Sequence, residues 1–158
     1  MNIRLASPPD AASVAALVTL AYQVEAFFVD GDRTDAADVR RRLEHGDFLL
    51  LEHEGVLIGC VYVEIRDEYG YFGMLSIDPQ QQRQGLGAVL VDAAERWCLR
   101  NGCRGVEIEV VNLRTELPPF YRKHGYVEDG TREFPDPERC KLPCHFIVMR
   151  KDLPAPAR

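Results

Sequence analysis

The chain has 158 residues, of which 46% are hydrophobic and 28% charged, values that are ordinary for one soluble globular domain with a sizeable core. Its formal net charge of −6 argues against a general nucleic-acid binder, which usually presents a basic face, and suits a cationic substrate better. No segment approaches the roughly 18 consecutive apolar residues that span a bilayer, so we expect no membrane association.

The cysteines bear on the cellular compartment and on metal binding. Their number, five, is odd, and the sequence lacks the apolar core of a signal peptide, which predicts reduced thiols in a cytoplasmic protein. Cys60 and Cys98 lie in apolar runs and are expected to be buried free thiols. Cys140, Cys144 and His145 are conceivable ligands, but no Cys-x-x-Cys pair or second histidine at zinc spacing accompanies them, so we predict no metal.

The first third of the chain predicts a short strand and two helices. Residues 3–5 are the strand candidate, and residues 7–10 supply turn and N-cap chemistry for the first helix. The second helix is expected from residue 34 or 35 to about residue 44. Between the helices lies an aromatic and acidic segment, residues 25–32.

The middle of the chain predicts an antiparallel meander followed by a strand–helix–strand unit. Residues 48–52, 56–65 and 71–77 are the three strands of the meander. A helix is then expected over residues 88–100 and a strand over residues 105–111. Because the connection is short, the strands on either side of this helix are expected to run parallel.

The loop that leads into this helix has the chemistry of an anion site. Amide groups at a helix N-terminus lack partners within the helix, and the helix dipole favours negative charge there. Gly85 and Gly87 have no Cβ, which lets a ligand approach the backbone. The loop is therefore interpreted as a phosphate cradle, with an ordinary glycine turn as the alternative.

Two other kinds of phosphate loop fit this stretch less well. A P-loop requires Lys-Ser or Lys-Thr after its last glycine, where this chain has Ala88 and Val89. A dinucleotide fingerprint requires a third small residue at the position of Leu90. Glu107 and Glu109 lie at about the distance expected of a ribose-binding acid, so a dinucleotide site stays open as an alternative.

The last third of the chain predicts a short helix and two strands. Residues 118–124 have proline early and Gly125 at the end, which is typical of a short helix, and Tyr126 opens a strand. Residues 130–143 are predicted to be a loop that covers the site or contacts a second subunit, followed by a strand at residues 145–150. One domain is expected over residues 1–153, with residues 154–158 as a frayed tail.

Two motifs carry a resemblance to a known family. The order of Gln82, Gly85 and Gly87 resembles the pyrophosphate loop of the GNAT superfamily of N-acetyltransferases, with Gln or Arg, two residues, Gly, one residue, and Gly or Ala. The later order of Asn112, a short helix with Phe120-Tyr121, and Gly125-Tyr126 is also similar, although Asn112 and Tyr121 stand about two residues further apart than in the family.

The resemblance implies an α+β, sandwich-like fold. Its mixed, mostly antiparallel sheet has about seven strands, of which strands four and five are parallel and splayed, and about four helices flank it. It also implies acetyl-CoA as cofactor, with the pyrophosphate on the loop amides and the pantetheine paired with strand four. The cofactor-binding residues implied in this way are Leu75, Ser76, Ile77, Gln82, Arg83, Gln84, Gly85, Leu86, Gly87, Ala88, Asn112 and Tyr121.

The implied activity is direct transfer of an acetyl group to a primary amine of a small molecule or a peptide, in a ternary complex. Tyr121 is the candidate general acid for the leaving sulfur, with simple packing beside Phe120 as the alternative. Glu109 is the candidate general base; the other carboxylates considered are Glu107, Glu25 and Glu64.

Tyr22, Glu25 and Phe27 are the candidate substrate-binding residues, because the first two helices line the acceptor side in similar proteins. A noncatalytic acyl-CoA sensor on the same fold is an alternative function, and a homodimer is an open alternative to a monomer.

Overall fold

The computed structural model describes residues 1–155, and within them the chain forms seven strands and four α-helices. The strands are β1 (Asn2–Leu5), β2 (Gly46–His53), β3 (Val56–Arg66), β4 (Tyr69–Ile77), β5 (Gly105–Val111), β6 (Val127–Glu133) and β7 (His145–Asp152). The helices are α1 (Ala11–Ala21), α2 (Ala36–Arg42), α3 (Leu86–Arg100) and α4 (Leu117–Lys123). Across this part of the chain no helix is both long and apolar enough to cross a membrane.

The seven strands form one mixed sheet in the order β1-β2-β3-β4-β5-β7-β6. Every neighbouring pair is antiparallel except β4 and β5, which are parallel. This parallel pairing covers only Tyr69–Tyr71 of β4 and Gly105–Glu107 of β5, after which the two strands separate. The predicted fold, including the splayed parallel pair, is confirmed.

The sheet is covered by helices on both faces. On β3, Val61 and Val63 belong to the apolar cluster that contains α3 residues such as Leu90, whereas Cys60 and Tyr62 belong to the cluster on the α1 and α2 side. Successive side chains of a strand point to opposite faces, so this alternation is expected for a strand that is buried on both sides. Such burial explains why β2 and β3 read as continuous apolar runs.

A bulge bends β4 where it leaves β5. Cys60 pairs with Ser76 and Tyr62 pairs with Gly73, so Met74 and Leu75 both stand opposite Val61. Met74 has a φ of 53°, a left-handed conformation that residues other than glycine rarely adopt. Bulges of this kind re-aim a strand and increase its twist. The bulge lies just beyond Tyr71, the last β4 residue that pairs with β5.

The main difference from the sequence-based expectation concerns residues 130–143. Their first part, up to Glu133, belongs to β6, so the loop prediction is wrong there. All seven residues of β6 are exposed, because β6 is an edge strand that pairs only with β7. An exposed edge strand has no buried face, and so its sequence lacks the apolar alternation that would predict a strand.

Smaller differences concern element ends. α3 begins at Leu86, two residues before the predicted start, and α2 ends at Arg42, two residues before the predicted end. β7 continues to Asp152. Residues 154–155 have no regular secondary structure, and the rest of the predicted tail, residues 156–158, lies outside the described residues.

Candidate functional site

We call residues 82–88, at the start of α3, the α3 cradle, because backbone amides without side-chain acceptors lie there. Gly85 is the N-cap residue in a left-handed conformation with a φ of 74°, which glycine adopts without steric cost. The cap has no side-chain hydrogen bond, and the first turn of this 15-residue helix contains no acidic residue. The first amides of α3 therefore receive no side-chain acceptor at the cap, and the helix dipole adds positive potential at the same place.

The two glycines of the cradle differ in whether the fold requires them. A Cβ on Gly85 would meet no atom within 4 Å, so Gly85 is required by its backbone conformation. A Cβ on Gly87 would lie 3.4 Å from Cζ of Phe120, which is an ordinary van der Waals contact, so the fold itself has room for a larger residue at Gly87. Arg83 also has a positive φ, 69°, and Gln84 donates to the side chain of Gln81 across 3.3 Å.

Where β4 and β5 separate, a cavity of about 800 Å³ opens between them. Leu75 and Gly73 line it from β4, and Ile108 and Val110 line it from β5. Tyr121 lines it from α4. The separation thus gives access to the cavity from between the two strands.

Tyr121 is buried to 6% exposure and packs among aromatic rings. Its ring centroid lies 5.0 Å from that of Phe120 and 5.9 Å from those of Phe72 and Tyr126. Burial raises the pKa of Tyr121, and the charge of Arg114 only partly opposes this. The phenol is therefore protonated at neutral pH and can act as a donor on the cavity wall.

Glu25 and Arg114 form an ion pair in the cavity region. Nη1 of Arg114 donates to Oε2 of Glu25 across 2.9 Å, and both side chains are largely shielded from solvent. Burial raises the pKa of Glu25, while the hydrogen bond and charge of Arg114 act against the rise. Glu25 lines the cavity together with Tyr22, which is also a predicted substrate-binding residue.

The other candidate bases occupy different positions. Glu109 lines the cavity, and Nη1 of Arg66 donates to its Oε1 across 3.2 Å. Glu107 is held by Arg132 and Arg150; burial alone would raise its pKa, but these two arginines outweigh it and lower the pKa. Glu64 pairs with Arg66 and does not line the cavity. Of the four carboxylates considered, the structure brings Glu25 and Glu109 to the cavity.

Two residues implied as cofactor ligands are engaged within the fold. Ser76 is 1% exposed, and its hydroxyl donates to the carbonyl of Met74 across 2.9 Å. The carboxamide oxygen of Asn112 accepts the backbone amide of His145 across 2.9 Å. The Asn112 side chain therefore holds the end of β5 against the start of β7, and it does not line the cavity.

Phe27 differs from the expectation that it lines the acceptor side. It is 55% exposed and does not line the cavity, whereas the neighbouring Phe28 is fully buried. The two rings meet edge to face with centroids 4.8 Å apart. Their opposite environments arise within a tight turn, which the composition of the segment does not reveal.

The arginines of the cavity were not identified from the sequence. The walls carry six arginines and seven carboxylates, so the net charge of the chain does not describe the cavity. Arg33 stands alone as a cation in the acidic run from Asp30 to Asp35, which is the one sequence signal that distinguishes it.

Cys140 and Cys144 are close together, with their sulfur atoms 3.0 Å apart, and both are free thiols. No group of three or more His, Cys, Asp or Glu side chains in residues 1–155 is arranged to hold a metal ion.

Comparisons with known proteins agree with this geometry. Residues 16–126 match the model of the acetyltransferase (GNAT) family. The uncharacterized N-acetyltransferase YjcF from Bacillus subtilis is 26% identical over 116 residues, which cover 73% of this chain and 81% of YjcF.

Among solved structures, the ribosomal-protein-S18-alanine N-acetyltransferase from Escherichia coli superposes with a TM-score of 0.80 at 16% identity, over 99% of this chain and 96% of that one. The yncA protein from Salmonella typhimurium, solved with its cofactor acetyl-CoA, superposes with a TM-score of 0.75 at 18% identity, over 100% of this chain and 96% of that one. At these identities the likeness concerns the fold.

Proposed function

The chain belongs to the acetyltransferase (GNAT) family, and from this premise we propose that it is an acetyl-CoA-dependent N-acetyltransferase that acts on a primary amine. The observation that carries the proposal is that Gly87 of the α3 cradle lies against Phe120, whose neighbour Tyr121 lines the cavity where β4 and β5 separate. A cofactor that lies along this gap would have its phosphates at one end and its acyl group at the other.

The residues present fit acetyl-CoA. The pyrophosphate would lie on the amides of residues 83–88, where the helix start offers donors and no opposing carboxylate. β4 has no pairing with β5 beyond Tyr71, so the backbone of Leu75, Ser76 and Ile77 has a free edge for an extended pantetheine arm. Asn112 fits less well, because its carboxamide oxygen is already used by His145.

Bound acetyl-CoA supplies an activated acetyl thioester, and the protein must prepare the amine. A lysine-like amine has a pKa of about 10.4 and is mostly protonated at neutral pH, so it must first lose a proton. We assign this proton to Glu109, directly or through water, with Glu25 as the second candidate. The raised pKa of Glu25 suits a base, whereas its ion pair with Arg114 restrains it.

In the transfer itself the C–N bond would form and the C–S bond would break. The ammonium would give up two protons, the first to Glu109 and from there to solvent, and the second, after the C–N bond has formed, to the departing sulfur. Tyr121 would donate a hydrogen bond to the departing sulfur. Complete proton transfer from a phenol of pKa about 10 to a thiolate of pKa about 8.5 is already uphill by roughly 2 kcal/mol. Burial raises the pKa of Tyr121 further and makes complete proton transfer still less favourable, so we assign hydrogen-bond donation to Tyr121.

The proposal is tested by measuring acetyl-CoA binding by calorimetry and release of the CoA thiol with a panel of primary amines. Tyr121→Phe is compared with Tyr69→Phe, which removes a hydroxyl outside the cavity. Binding with turnover that depends on Tyr121 supports the proposal. Binding without turnover of any amine would favour a noncatalytic acyl-CoA sensor, and binding of NAD but neither CoA species would favour a dinucleotide site.

A further inference from the structure

Arg33 is the one arginine of the cavity wall that lacks a carboxylate partner within the described residues 1–155. The other five each form an ion pair: Arg41 and Arg42 with Asp38, Arg66 with Glu64, Arg132 with Glu107, and Arg139 with Asp136. Asp32 and Asp35 flank Arg33 in sequence, yet neither forms an ion pair with it. A half-buried guanidinium that no carboxylate holds in an ion pair keeps its N–H groups available for a carboxylate of a ligand.

The position of Arg33 is fixed by aromatic contact. Its guanidinium carbon lies 5.7 Å from the ring centroid of Tyr22, within cation–π distance. The ring contact orients the planar guanidinium, and its N–H groups can then donate to both oxygens of a carboxylate.

The loop that carries Arg33 is held by a distant segment of the chain. Nε and Nη2 of Arg139 donate to the carbonyls of Asp30 and Asp32, each across 2.9 Å. The amide of Asp30 donates to the carbonyl of Arg139 across 2.8 Å, and the amide of Lys141 donates to the carbonyl of Phe28 across 2.7 Å. We call these bonds the 28–32/139–141 contact. They pre-organise the loop before any ligand arrives.

Arg33 also stands close to the groups that surround the reaction. Burial raises the pKa of Tyr22 to about 12, and the nearby charges of Arg33 and Arg114 act in the opposite direction. The same Arg33 charge acts on Glu25 and on Tyr71, and Tyr22 in turn lies near enough to Tyr121 to influence it. Arg33, Tyr22 and Tyr121 all line the same cavity.

We propose that Arg33 binds a carboxylate of the acceptor, so that the substrate class is a small amine that also carries a carboxylate, as amino acids do. This inference rests on the proposed acetyltransferase function. The cavity of about 800 Å³ is large enough for such a molecule. Glu25 and Glu109, on the same cavity wall, would attract its ammonium end.

The test compares amino acids with their carboxamides, which keep the amine and the side chain but lose the negative charge. CoA-thiol release is measured for the wild type, Arg33→Gln, Arg33→Lys and Arg40→Gln. Arg40 is exposed and does not line the cavity, so Arg40→Gln makes the same change in net charge outside it. Acetyl-CoA binding is titrated calorimetrically with all four proteins.

We expect the wild type and Arg40→Gln to prefer the acids to the carboxamides by about tenfold to a hundredfold in kcat/KM. The preference should fall to near unity in Arg33→Gln and be partly retained in Arg33→Lys, with acetyl-CoA affinity unchanged throughout. Three results would overturn the inference. The wild type could use acids and carboxamides equally well, the preference could survive in Arg33→Gln, or the protein could bind acetyl-CoA without turnover of either class. If the wild type does not bind acetyl-CoA at all, the proposed function is overturned instead.

Discussion

A negative charge placed inside the α3 cradle should weaken acetyl-CoA binding without lowering the stability of the protein. Ala88 is the third residue of α3, counted from the N-cap Gly85, and its side chain is only partly buried. In Ala88→Glu the new carboxylate interacts favourably with the helix dipole, worth about 0.3–1 kcal/mol. Glutamate is a slightly weaker helix former than alanine, by a few tenths of a kcal/mol. The free energy of unfolding is therefore expected to change by less than about 1 kcal/mol.

The same carboxylate repels a bound pyrophosphate. Two unit charges about 6 Å apart repel by roughly 0.7 kcal/mol in bulk water, so two phosphate charges give about 1.4 kcal/mol, a factor of about ten in affinity. This is a lower bound, because a lower effective dielectric constant near the protein surface increases the repulsion several-fold. We expect Ala88→Glu to weaken acetyl-CoA binding at least tenfold while the protein stays as stable as the wild type.

The assay is calorimetric titration with acetyl-CoA and CoA, alongside urea unfolding of the same samples. Ala88→Gln is the matched control, since it has the same shape without the charge. High salt should recover part of the lost affinity, because the Debye length falls from about 10 Å at 0.1 M to about 3 Å at 1 M. If Ala88→Glu and Ala88→Gln bind acetyl-CoA equally well at low salt, the pyrophosphate does not lie on this helix start.

Three further predictions concern the cavity and the loop. Tyr121→Phe should lower kcat about a hundredfold with unchanged acetyl-CoA affinity, whereas a purely packing role predicts unchanged kcat. Glu109→Gln should lower kcat/KM, because the amine would lose its base. Burial raises the pKa of Glu25, so a loss of activity that is due to protonation of Glu25 would begin above the ordinary glutamate pKa of about 4.3 as the pH falls, and it would be absent in Glu25→Gln. A pH profile of kcat/KM that is unchanged in Glu25→Gln would exclude Glu25 as the base, and an unchanged kcat/KM in Glu109→Gln would exclude Glu109. In urea unfolding, Gly85→Ala should cost about 1–2 kcal/mol because of its positive φ, whereas Gly87→Ala should be neutral or slightly stabilising; equal costs would contradict this account of the loop.

The parts of the fold that were predicted correctly are those with a local signal. The loop before α3 was predicted from the sequence because it contains Gly85, whose left-handed conformation favours glycine. β3 was predicted from its long apolar run, which arises because the strand is buried on both faces. Both signals are physical requirements of the local chain, and so they are visible in the sequence.

The parts that were missed depend on distant neighbours. β6 is defined by its pairing with β7, and its exposed residues carry no apolar pattern. The left-handed residue of the β4 bulge is Met74, although Gly73 beside it would be the natural choice from sequence. Arg33 is distinguished because it forms no ion pair within residues 1–155, and no rule of sequence spacing reports this.

The 28–32/139–141 contact has a consequence for how the molecule acquires its site. Arg139 and the carbonyl of Asp30 are 109 residues apart in the chain, so this contact closes a very long loop. Closure of long loops costs chain entropy before any contact repays it, and such contacts form late in folding. The α3 cradle, by contrast, consists of residues close in sequence. A nascent chain would therefore assemble the α3 cradle first, and the loop that carries Arg33 would be completed only after residues 139–141 have reached it.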